Sequence, residues 1–259
     1  YYNPVSEEIR KMCWNQGDWR FYKYYREWQW KTYLMAKNIC SKEKIDVLHQ
    51  LNMIGFRESG YLWKLSQENG VPFVWGPIGG LKQFPTAYLK GAGLKMKLFN
   101  RLKNFLNVWQ LKHDKRVNEA FKTAKVLVSS IPDSYRAIKK YKGLESVVIP
   151  ETGCFLSENI PTDRFDEKEF HVMWVGKFDF RKQLPLALRA IAIAGNPNIV
   201  LDVYGSGSDE QVGSAKRLVD AMGINGRVIW HGNQPNDVVM NAMRKAQLFF
   251  FTSVSEDTS

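Results

Sequence analysis

From residue 170 onward, short apolar runs alternate with segments of helical periodicity, and this alternation constrains the fold more than any other feature of the chain. The runs predicted as strands are Phe170–Gly176, Ile199–Tyr204, Arg227–Trp230 and Leu248–Thr252. The segments predicted as helices between them are 184–194, 209–222 and 238–245. Largely apolar strands that are joined by helices form a parallel sheet with helices on both faces.

A less regular set of strands and helices precedes this region. The predicted strands are Ile45–His49, Val71–Trp75, Lys125–Ser129 and Val147–Pro150, and the predicted helices are 57–69, 94–116 and 132–142, after a helical, aromatic stretch over the first ~45 residues. Residues 151–168 have the composition of a linker. The sequence therefore predicts a two-domain α/β protein, with domains at 1–153 and 154–259.

The net charge of +11 is unevenly distributed between these two parts. Residues 1–150 carry 26 Lys and Arg against 12 Asp and Glu, whereas residues 151–259 carry 11 against 14. We therefore expect the first domain to face an anionic partner. Nucleic acid, a membrane surface and a phosphorylated substrate all fit that charge.

Cysteine content and hydropathy restrict the compartment and the cofactors. The three cysteines are an odd number without metal-ligand spacing, and no apolar run approaches the ~20 residues of a membrane span. A reducing, cytoplasmic compartment is the simple interpretation. The sequence has no Asp-x-Asp cluster that would offer carboxylates to a metal, so no metal site and no cofactor are predicted.

The loop after the strand at residue 170 combines a glycine with several cations. Gly176 allows a sharp turn, and Lys177, Arg181 and Lys182 follow it within one short loop that opens a helix. A helix start supplies oriented N–H groups and lysine supplies charge, so this loop suits a diphosphate. Taken alone, the loop is better explained as a solvated basic turn.

Three further loops follow the other strands of this half. Gly205 and Gly207 come after the second strand, His231 ends the third, and Thr252 leads to Glu256 after the fourth. The carboxyl ends of parallel strands are where such sheets bind ligands. Each feature is weak by itself, because glycines also make ordinary turns and a lone histidine is more often packed than functional.

In order and spacing, these four loops resemble the donor-binding domain of the retaining glycosyltransferases of family 4, which have two Rossmann-like domains (the GT-B architecture). The matching segments are Val175–Lys177 with Lys182, Leu201–Gly207, Arg227–Gly232, and Thr252–Ser253 with Glu256. The resemblance extends over most of residues 45–259 and is strongest from residue 172. It implies transfer of a sugar from a nucleotide-diphosphate sugar with retention of configuration and without a metal.

The resemblance implies roles for the residues that match. Lys177 and Lys182, beside Gly176, would bind the donor diphosphate, although the first of this basic pair is usually arginine. Glu256 matches the first of two glutamates and would contact the donor sugar as a catalytic residue. The second glutamate would fall beyond Ser259, and family members normally begin with a strand and a Gly-rich loop. We therefore expect both domains to be incomplete.

Further residues are assigned to the donor and to catalysis by the same resemblance. Gly205 and Gly207 match a glycine loop near the donor, and His231 lies in the segment that borders the nucleobase. In the first domain, His49 matches a strand that leads toward the catalytic cleft. Many members have a second histidine two residues later, where this chain has Leu51.

The stretch from Arg57 to Gly80 resembles a subgroup of these enzymes found in bacterial surface-polysaccharide clusters. Gly79 and Gly80 could bring backbone N–H groups to the donor, or could simply form a tight turn after Pro77. The resemblance implies a nucleotide-sugar donor and a glycan or lipid-linked acceptor as partners. Glycosyltransferases of this kind act in the cytoplasm, in some cases at the inner face of the membrane.

Three other functions would use parts of this sequence. A GT-B-shaped nucleotide-sugar epimerase would share the phosphate loops but would need catalytic carboxylates in the first domain, which are not evident. A nicotinamide-dependent oxidoreductase would need a complete Gly-x-Gly-x-x-Gly after its first strand, which is absent. A nucleic-acid-binding module would use the basic aromatic first half, but aromatic residues at helical spacing are more often core, so no nucleic-acid partner is predicted.

The segment 94–116 has the pattern of a basic amphipathic helix. Leu98, Leu102, Phe105 and Trp109 share one side, and lysines and arginine surround them. The apolar side is expected to pack on the sheet of its own domain. The positive charge is expected to attract the protein to an anionic membrane surface.

Overall fold

The structure is a computed structural model, and it describes residues 6–13, 20–51, 53–90, 92–153 and 163–256. The chain divides into two compact units, which among the described residues end at Gly153 and at Glu256. Most of the predicted linker, 154–162, lies outside the described residues. Each unit is a parallel sheet with helices, so the predicted α/β class is confirmed.

The first unit contains six helices and four strands among its described residues. In chain order these are α1 Glu7–Cys13, α2 Arg20–Cys40, β1 Leu48–Gln50, α3 Leu62–Asn69, β2 Phe73–Ile78, α4 Leu94–His113, α5 Lys115–Thr123, β3 Val126–Ser129, α6 Pro132–Lys142 and β4 Val147–Val148. The strands pair in the order β1-β2-β3-β4, all parallel. Strand order therefore follows chain order in this sheet.

The core of the first unit lies between its sheet and α2, α3, α5 and α6. Phe73 and Trp75 alternate along β2 and are fully buried, with Phe121 of α5 packed on Trp75 at a ring-centroid distance of 4.7 Å. Tyr33 of α2 joins this core and donates its hydroxyl proton to Glu68 on α3 over 2.6 Å. The long helix α2 is thereby fixed to the sheet through α3.

The second unit contains three helices and four strands among its described residues. They are β5 Phe170–Val175, α7 Leu184–Ala194, β6 Ile199–Tyr204, α8 Asp209–Ala221, β7 Val228–Gly232, α9 Asn236–Lys245 and β8 Leu248–Phe249. The strand order is β7-β6-β5-β8, all parallel. Trp174, Leu201 and Val203 form the core of this unit with Leu188 of α7 and Val219 of α8.

Strands β1 and β2 begin two or three residues later than predicted, and two of the predicted helices differ from the structure in ways that have a local cause. The predicted helix 94–116 is two helices, because Asp114 ends α4 and its side chain accepts hydrogen bonds from the N–H groups of Arg116 and Val117, which starts α5. The predicted helix 57–69 begins only at Leu62, because Gly60 before it has a positive φ of 61°. A left-handed residue at that position prevents a continuous helix.

The expected packing of α4 is wrong. Its buried side chains are Asn100, Asn107 and Leu111, whereas the stripe from Leu98 to Trp109 is exposed. Spacing alone does not separate the two faces, because asparagines and leucines recur with the same helical period. The choice is made by tertiary contacts, in which Asn104 hydrogen-bonds both the N–H and the carbonyl of Phe84 at 2.9 Å.

Candidate functional site

The second sheet reverses its strand order at β5. The chain places β6 and then β7 on one side of β5, and it then crosses to place β8 on the other side. At such a switch point the loops after the two adjacent strands diverge and leave a crevice beyond their carboxyl ends. The loops concerned are 176–183 after β5 and 250–256 after β8.

A carboxylate and two cations meet at this switch point. Glu256 Oε1 lies 2.6 Å from Lys182 Nζ, and Glu256 Oε2 lies 2.5 Å from Arg181 Nη1. The Glu256 side chain is 13% exposed and that of Lys182 is 21% exposed, so this ion-pair cluster is largely shielded but open to solvent on one side. Two cations against one carboxylate leave the cluster with a net positive charge.

The charge state of Glu256 follows from these contacts. Burial alone would raise the pKa of its carboxyl group, but hydrogen bonds from Lys182 and Ser253, together with the charges of Arg181 and Lys182, hold the pKa below the ordinary value of glutamate. Glu256 is therefore ionised at neutral pH.

The loops after β5 and β8 are joined by hydrogen bonds of their own. Thr252 Oγ1 accepts a hydrogen bond from Trp174 Nε1 at 2.9 Å and donates to the carbonyl of Lys182 at 2.8 Å. The N–H of Val254 donates to the carbonyl of Arg181 at 2.9 Å. These bonds fix the backbone that carries all three charged groups of the cluster.

The loop after β6 approaches the loop after β5 so closely that only glycine fits. Gly205 has a φ of 118°, and a Cβ atom there would lie 1.9 Å from the carbonyl oxygen of Gly176. At Gly207, a Cβ would lie 2.9 Å from Cβ of Phe178. The structure thus brings together Gly176, Gly205 and Gly207 at adjacent strand ends.

Lys177 and Lys182 differ in their surroundings. Lys182 is paired with Glu256, whereas Lys177 is exposed and makes no ion pair or hydrogen bond with any residue that the structure describes. The ammonium group of Lys177 is therefore available to an anion without breaking an internal contact.

His231 contacts two residues of the neighbouring strand β6, Asp202 and Tyr204. Its Nε2 lies 2.7 Å from Asp202 Oδ1, and its ring stacks on Tyr204 at a centroid distance of 4.1 Å. His171 contacts the other oxygen of the same carboxylate, with Nδ1 2.6 Å from Oδ2. In the described part of the chain, no hydrogen bond joins His231 to the Glu256 cluster.

In the first unit, His49 and Gly79 are hydrogen-bonded to backbone carbonyl groups of the same unit. His49 Nε2 lies 2.8 Å from the carbonyl oxygen of Gly76, which accepts, so this nitrogen carries the proton. The N–H of Gly79 donates to the carbonyl of Ile54 at 2.7 Å, so it is not free for a ligand. Gly80, with a φ of 72°, adopts the turn conformation that the sequence left as an alternative.

No group of three or more His, Cys, Asp or Glu within the described residues is arranged to hold a metal ion. None of the helices described in the structure is long and apolar enough to cross a membrane.

Sequence reasoning counted Arg181 among the cations of its loop but did not predict it as a partner of Glu256, on which it is the second cation. A signal was present, because Arg181 directly precedes Lys182 in a loop already identified as cationic. What the sequence lacked was the strand order, which brings residue 256 beside residues 181 and 182.

Residues 157–258 match the family model of glycosyl transferases group 1. The match includes both charged loops and the two glycine-containing strand ends of the second unit. It supports the resemblance derived from the sequence at the level of a group 1 glycosyl transferase domain. No curated protein matches the chain significantly.

Solved structures of glycosyltransferases share the fold. One is the lipopolysaccharide outer core galactosyltransferase WaaB, with 16% identity and a TM-score of 0.54. The match covers 89% of this chain and 56% of the WaaB chain. A second is Anabaena HepE in complex with UDP, with 16% identity, a TM-score of 0.58, and coverage of 86% of this chain and 57% of HepE. A third is sucrose-phosphate synthase from Thermosynechococcus elongatus, with 16% identity, a TM-score of 0.50, and coverage of 90% of this chain and 56% of the synthase. The chain spans just over half the length of these GT-B structures, and at this identity the likeness shows the fold alone.

Proposed function

We propose that the protein transfers a sugar from a nucleotide-diphosphate sugar to a glycan or lipid-linked acceptor, with retention of configuration and without a metal, as retaining family 4 enzymes do. The observation that carries this proposal is the Arg181–Lys182–Glu256 cluster at the switch point of the second sheet. It lies inside the region that matches the group 1 glycosyl transferase model. Among the structures with the same fold, HepE has been solved in complex with UDP.

The cations of this loop would hold the donor diphosphate. Lys177 has no competing partner among the described residues, and Lys182 and Arg181 share a single carboxylate. Each charge-assisted hydrogen bond to a phosphate oxygen contributes about 1.5–3 kcal/mol. Because charge develops on the leaving diphosphate as its bond to the sugar breaks, these cations would stabilise the transition state more than the ground state.

Glu256 would have two successive tasks in this scheme. In the free protein its carboxylate pairs with Arg181 and Lys182 and keeps them oriented. When a diphosphate occupies these cations, the same carboxylate, held ionised by its surroundings, becomes a hydrogen-bond acceptor for hydroxyl groups of the donor sugar.

Retention of configuration needs attack from the face that the diphosphate leaves. The acceptor oxygen would form its bond to the anomeric carbon while the bond from that carbon to the phosphate oxygen breaks. The acceptor proton would pass to the departing diphosphate, which acts as the base. The protein then contributes positioning and charge rather than a metal, and His49 is the proposed catalytic residue of the first unit.

The backbone glycines would allow close approach of the donor. The tight contact of Gly205 with the Gly176 carbonyl leaves no side chain between the loops after β5 and β6. Gly207 would extend this glycine-lined edge toward the donor, and His231 would border the nucleobase from the end of β7. Gly79 and Gly80 would contact the donor from the first unit, Gly79 through its Cα because both its N–H and its carbonyl are hydrogen-bonded to backbone groups.

The test is calorimetric titration of the full-length protein with UDP, GDP and ADP and with the corresponding nucleotide sugars. One of the three bases should bind, and Lys182→Ala should weaken that binding at least tenfold. Lys216→Ala, which removes an exposed lysine from α8, is the matched control and should bind like the wild type. Unchanged binding by Lys182→Ala would remove this loop from the donor site.

Two further assays separate the mechanism from its alternatives. Turnover of the donor that binds should be unaffected by EDTA, whereas loss of turnover with recovery on added Mg²⁺ or Mn²⁺ would contradict metal independence. Nuclear magnetic resonance of the product formed with an acceptor should show the anomeric configuration of the donor. Isomerisation of the donor in the absence of any acceptor would favour an epimerase instead.

A further inference from the structure

Helix α4 exposes most of its apolar side chains and turns its asparagines inward. The inward face carries Asn100, Asn104 and Asn107, of which Asn104 binds the backbone of Phe84. Leu111 continues this face at the same spacing and is buried. The helix is therefore attached to its unit by Asn104, by Leu111 in the hydrophobic core and by the bond from Arg57 to Gln110, and not by the leucines of the opposite face.

The outward face is a continuous apolar stripe. Leu98 is 70% exposed, Leu102 53%, Phe105 65% and Trp109 53%. The steps of four, three and four residues keep these side chains on one line along the helix. A contiguous exposed apolar surface of this kind on a protein normally marks an interaction site.

Within α4, every charged side chain beside the stripe is a cation. Helix α4 carries five Lys and Arg side chains, Lys95, Lys97, Arg101, Lys103 and Lys112, and its sequence contains no Asp or Glu. At 100° per residue, Lys95 and Arg101 lie about 60° to either side of Leu98. An apolar centre with cations along both edges is complementary to the headgroups and acyl boundary of an anionic bilayer.

A pocket beside the stripe also combines apolar and charged groups. Its volume is about 360 Å³, and Phe99, Leu102 and Leu106 form its apolar wall. Its charged lining is Arg26, Arg57 and Lys103 with Glu58, whose carboxylate is paired with Arg26, so cations exceed carboxylates. Arg57 donates from Nε to Gln110 Oε1 at 2.6 Å, and no described carboxylate lies within ion-pair distance of its guanidinium. The cationic surface thus continues from the edge of the helix into an apolar-walled recess.

Charge selects a bilayer over a second copy of the chain. If two copies associated through this face, the cations of both α4 helices would lie close together. Neither helix has an Asp or Glu that could neutralise them. Like charges next to a desolvated interface oppose association, whereas anionic lipid supplies the missing counter-charge.

We propose that α4 is a membrane-surface helix that lies in the headgroup layer of an anionic bilayer. Its 20 residues lie parallel to the surface, with Leu98, Leu102 and Phe105 in the acyl boundary and Trp109 at the interface, where tryptophan is favoured. This proposal does not depend on sugar transfer and stands or falls separately from it.

The experiment is co-sedimentation of the full-length protein with vesicles of phosphatidylcholine alone and of phosphatidylcholine with phosphatidylglycerol. Binding should require the anionic lipid and fade between low and high salt. A variant with Leu98→Gln, Leu102→Gln and Phe105→Gln should lose at least tenfold in partition coefficient. Because these side chains are exposed, the variant should fold like the wild type, which circular dichroism would check.

A second variant addresses charge. Lys95→Gln, Arg101→Gln and Lys112→Gln together should weaken binding to anionic vesicles by about fivefold per cation. The matched control changes two exposed apolar residues of α7 in the second unit, Leu186→Gln and Ile193→Gln, and should bind like the wild type.

Several results would overturn the proposal. They are equal binding to neutral and anionic vesicles, no binding to either at low salt, and wild-type binding by both α4 variants. Self-association in sedimentation velocity that the leucine variant abolishes would identify a second copy as the occupant and would equally contradict a bilayer.

Discussion

Each unit holds one carboxylate between two cations, and the two carboxylates differ in what they connect. The side chain of Glu58 is 2% exposed. Its carboxylate oxygens lie 2.7 Å from Nη2 of Arg26 on α2 and 3.5 Å from Nη1 of Arg116 on α5. The side chain of Glu256 is 13% exposed and forms ion pairs with two consecutive residues of one loop, Arg181 and Lys182. Glu58 therefore joins helices from distant parts of the sequence, whereas Glu256 joins the ends of two strands.

The difference shows that location, rather than charge pattern, separates a structural ion pair from a candidate site. The sheet of the first unit keeps chain order, and Glu58 is buried between an arginine of α2 and an arginine of α5. The sheet of the second unit reverses its order at β5, so a charged cluster lies open at the strand ends there. Substitutions at the two carboxylates should accordingly affect different properties.

The largest effect on stability is expected at Glu58. Glu58→Gln leaves Arg26 and Arg116 facing a neutral amide inside the unit, and breaking a buried ion pair costs about 3 kcal/mol. Urea unfolding should show this loss while donor affinity of the folded protein stays within about twofold. The control Glu119→Gln removes an exposed pair with Lys122 and should cost less than about 0.5 kcal/mol. A stable Glu58→Gln variant with impaired turnover would instead make Glu58 functional.

Gly205→Ala should come next. The substitution adds a Cβ 1.9 Å from the Gly176 carbonyl oxygen at a φ of 118°, so the loops after β5 and β6 must separate. Strain of this kind costs about 2 kcal/mol. Gly213→Ala, in the middle of α8, has only the end of the Arg217 side chain nearby and should stabilise by up to about 1 kcal/mol. Equal stabilities of these two variants in thermal unfolding would contradict the close contact between the loops.

Glu256→Gln should affect turnover more than stability, the reverse of Glu58→Gln. Without the carboxylate, Arg181 and Lys182 lose their shared partner, and the proposed acceptor for sugar hydroxyls is weakened. We expect at least a tenfold loss of kcat with a smaller change in KM, measured with the donor identified by calorimetry. Unchanged kcat would exclude Glu256 as a catalytic residue while leaving the diphosphate site untouched.

The same variant tests the lowered pKa of Glu256. Because the pKa is lower in the folded protein than the ordinary value of 4.5, ionised Glu256 stabilises the fold above that value, and this contribution is lost as the pH falls through the folded pKa. The stability difference between wild type and Glu256→Gln should be constant above about pH 5 and shrink below 4.5. A difference that grows on acidification would contradict the ion pairs with Lys182 and Arg181.

Much of the second unit could be predicted from the sequence, because apolar runs and glycine turns are local signals. The predicted strands at residues 170 and 199 and the helix at residue 184 agree with β5, β6 and α7 to within one residue. Strand order is not local, and it alone makes neighbours of Lys182 and Glu256, which are far apart in the chain. The roles of these residues therefore required the resemblance to a family, and they stay predictions.

In the first unit, periodicity was a weaker guide. Asn100, Asn104 and Asn107 recur at the same spacing as Leu98, Leu102 and Phe105, so the helical pattern fits either face as the inner one. Hydrophobicity predicts that the leucines face inward, whereas the two hydrogen bonds of Asn104 with the backbone of Phe84 place the asparagine face inward. Capping by Asp114 was likewise hidden, because the apolar pattern continues across it.

The smallest effect is expected at Gln183. The two units differ here in the residue types that adopt a left-handed backbone conformation. The positive-φ residues described in the first unit are all glycines, whereas Gln183, directly after Lys182, has a φ of 54°. A left-handed conformation disfavours side chains, and β-branched ones most, so Gln183→Val should cost about 1 kcal/mol. Gln183→Asn should be nearly neutral, because asparagine tolerates this conformation. Because the strain falls on the backbone that positions Lys182, Gln183→Val should also weaken donor binding by a few-fold in calorimetry. If Gln183→Val unfolds like Gln183→Asn, the left-handed backbone at the start of α7 is not what orients the lysine.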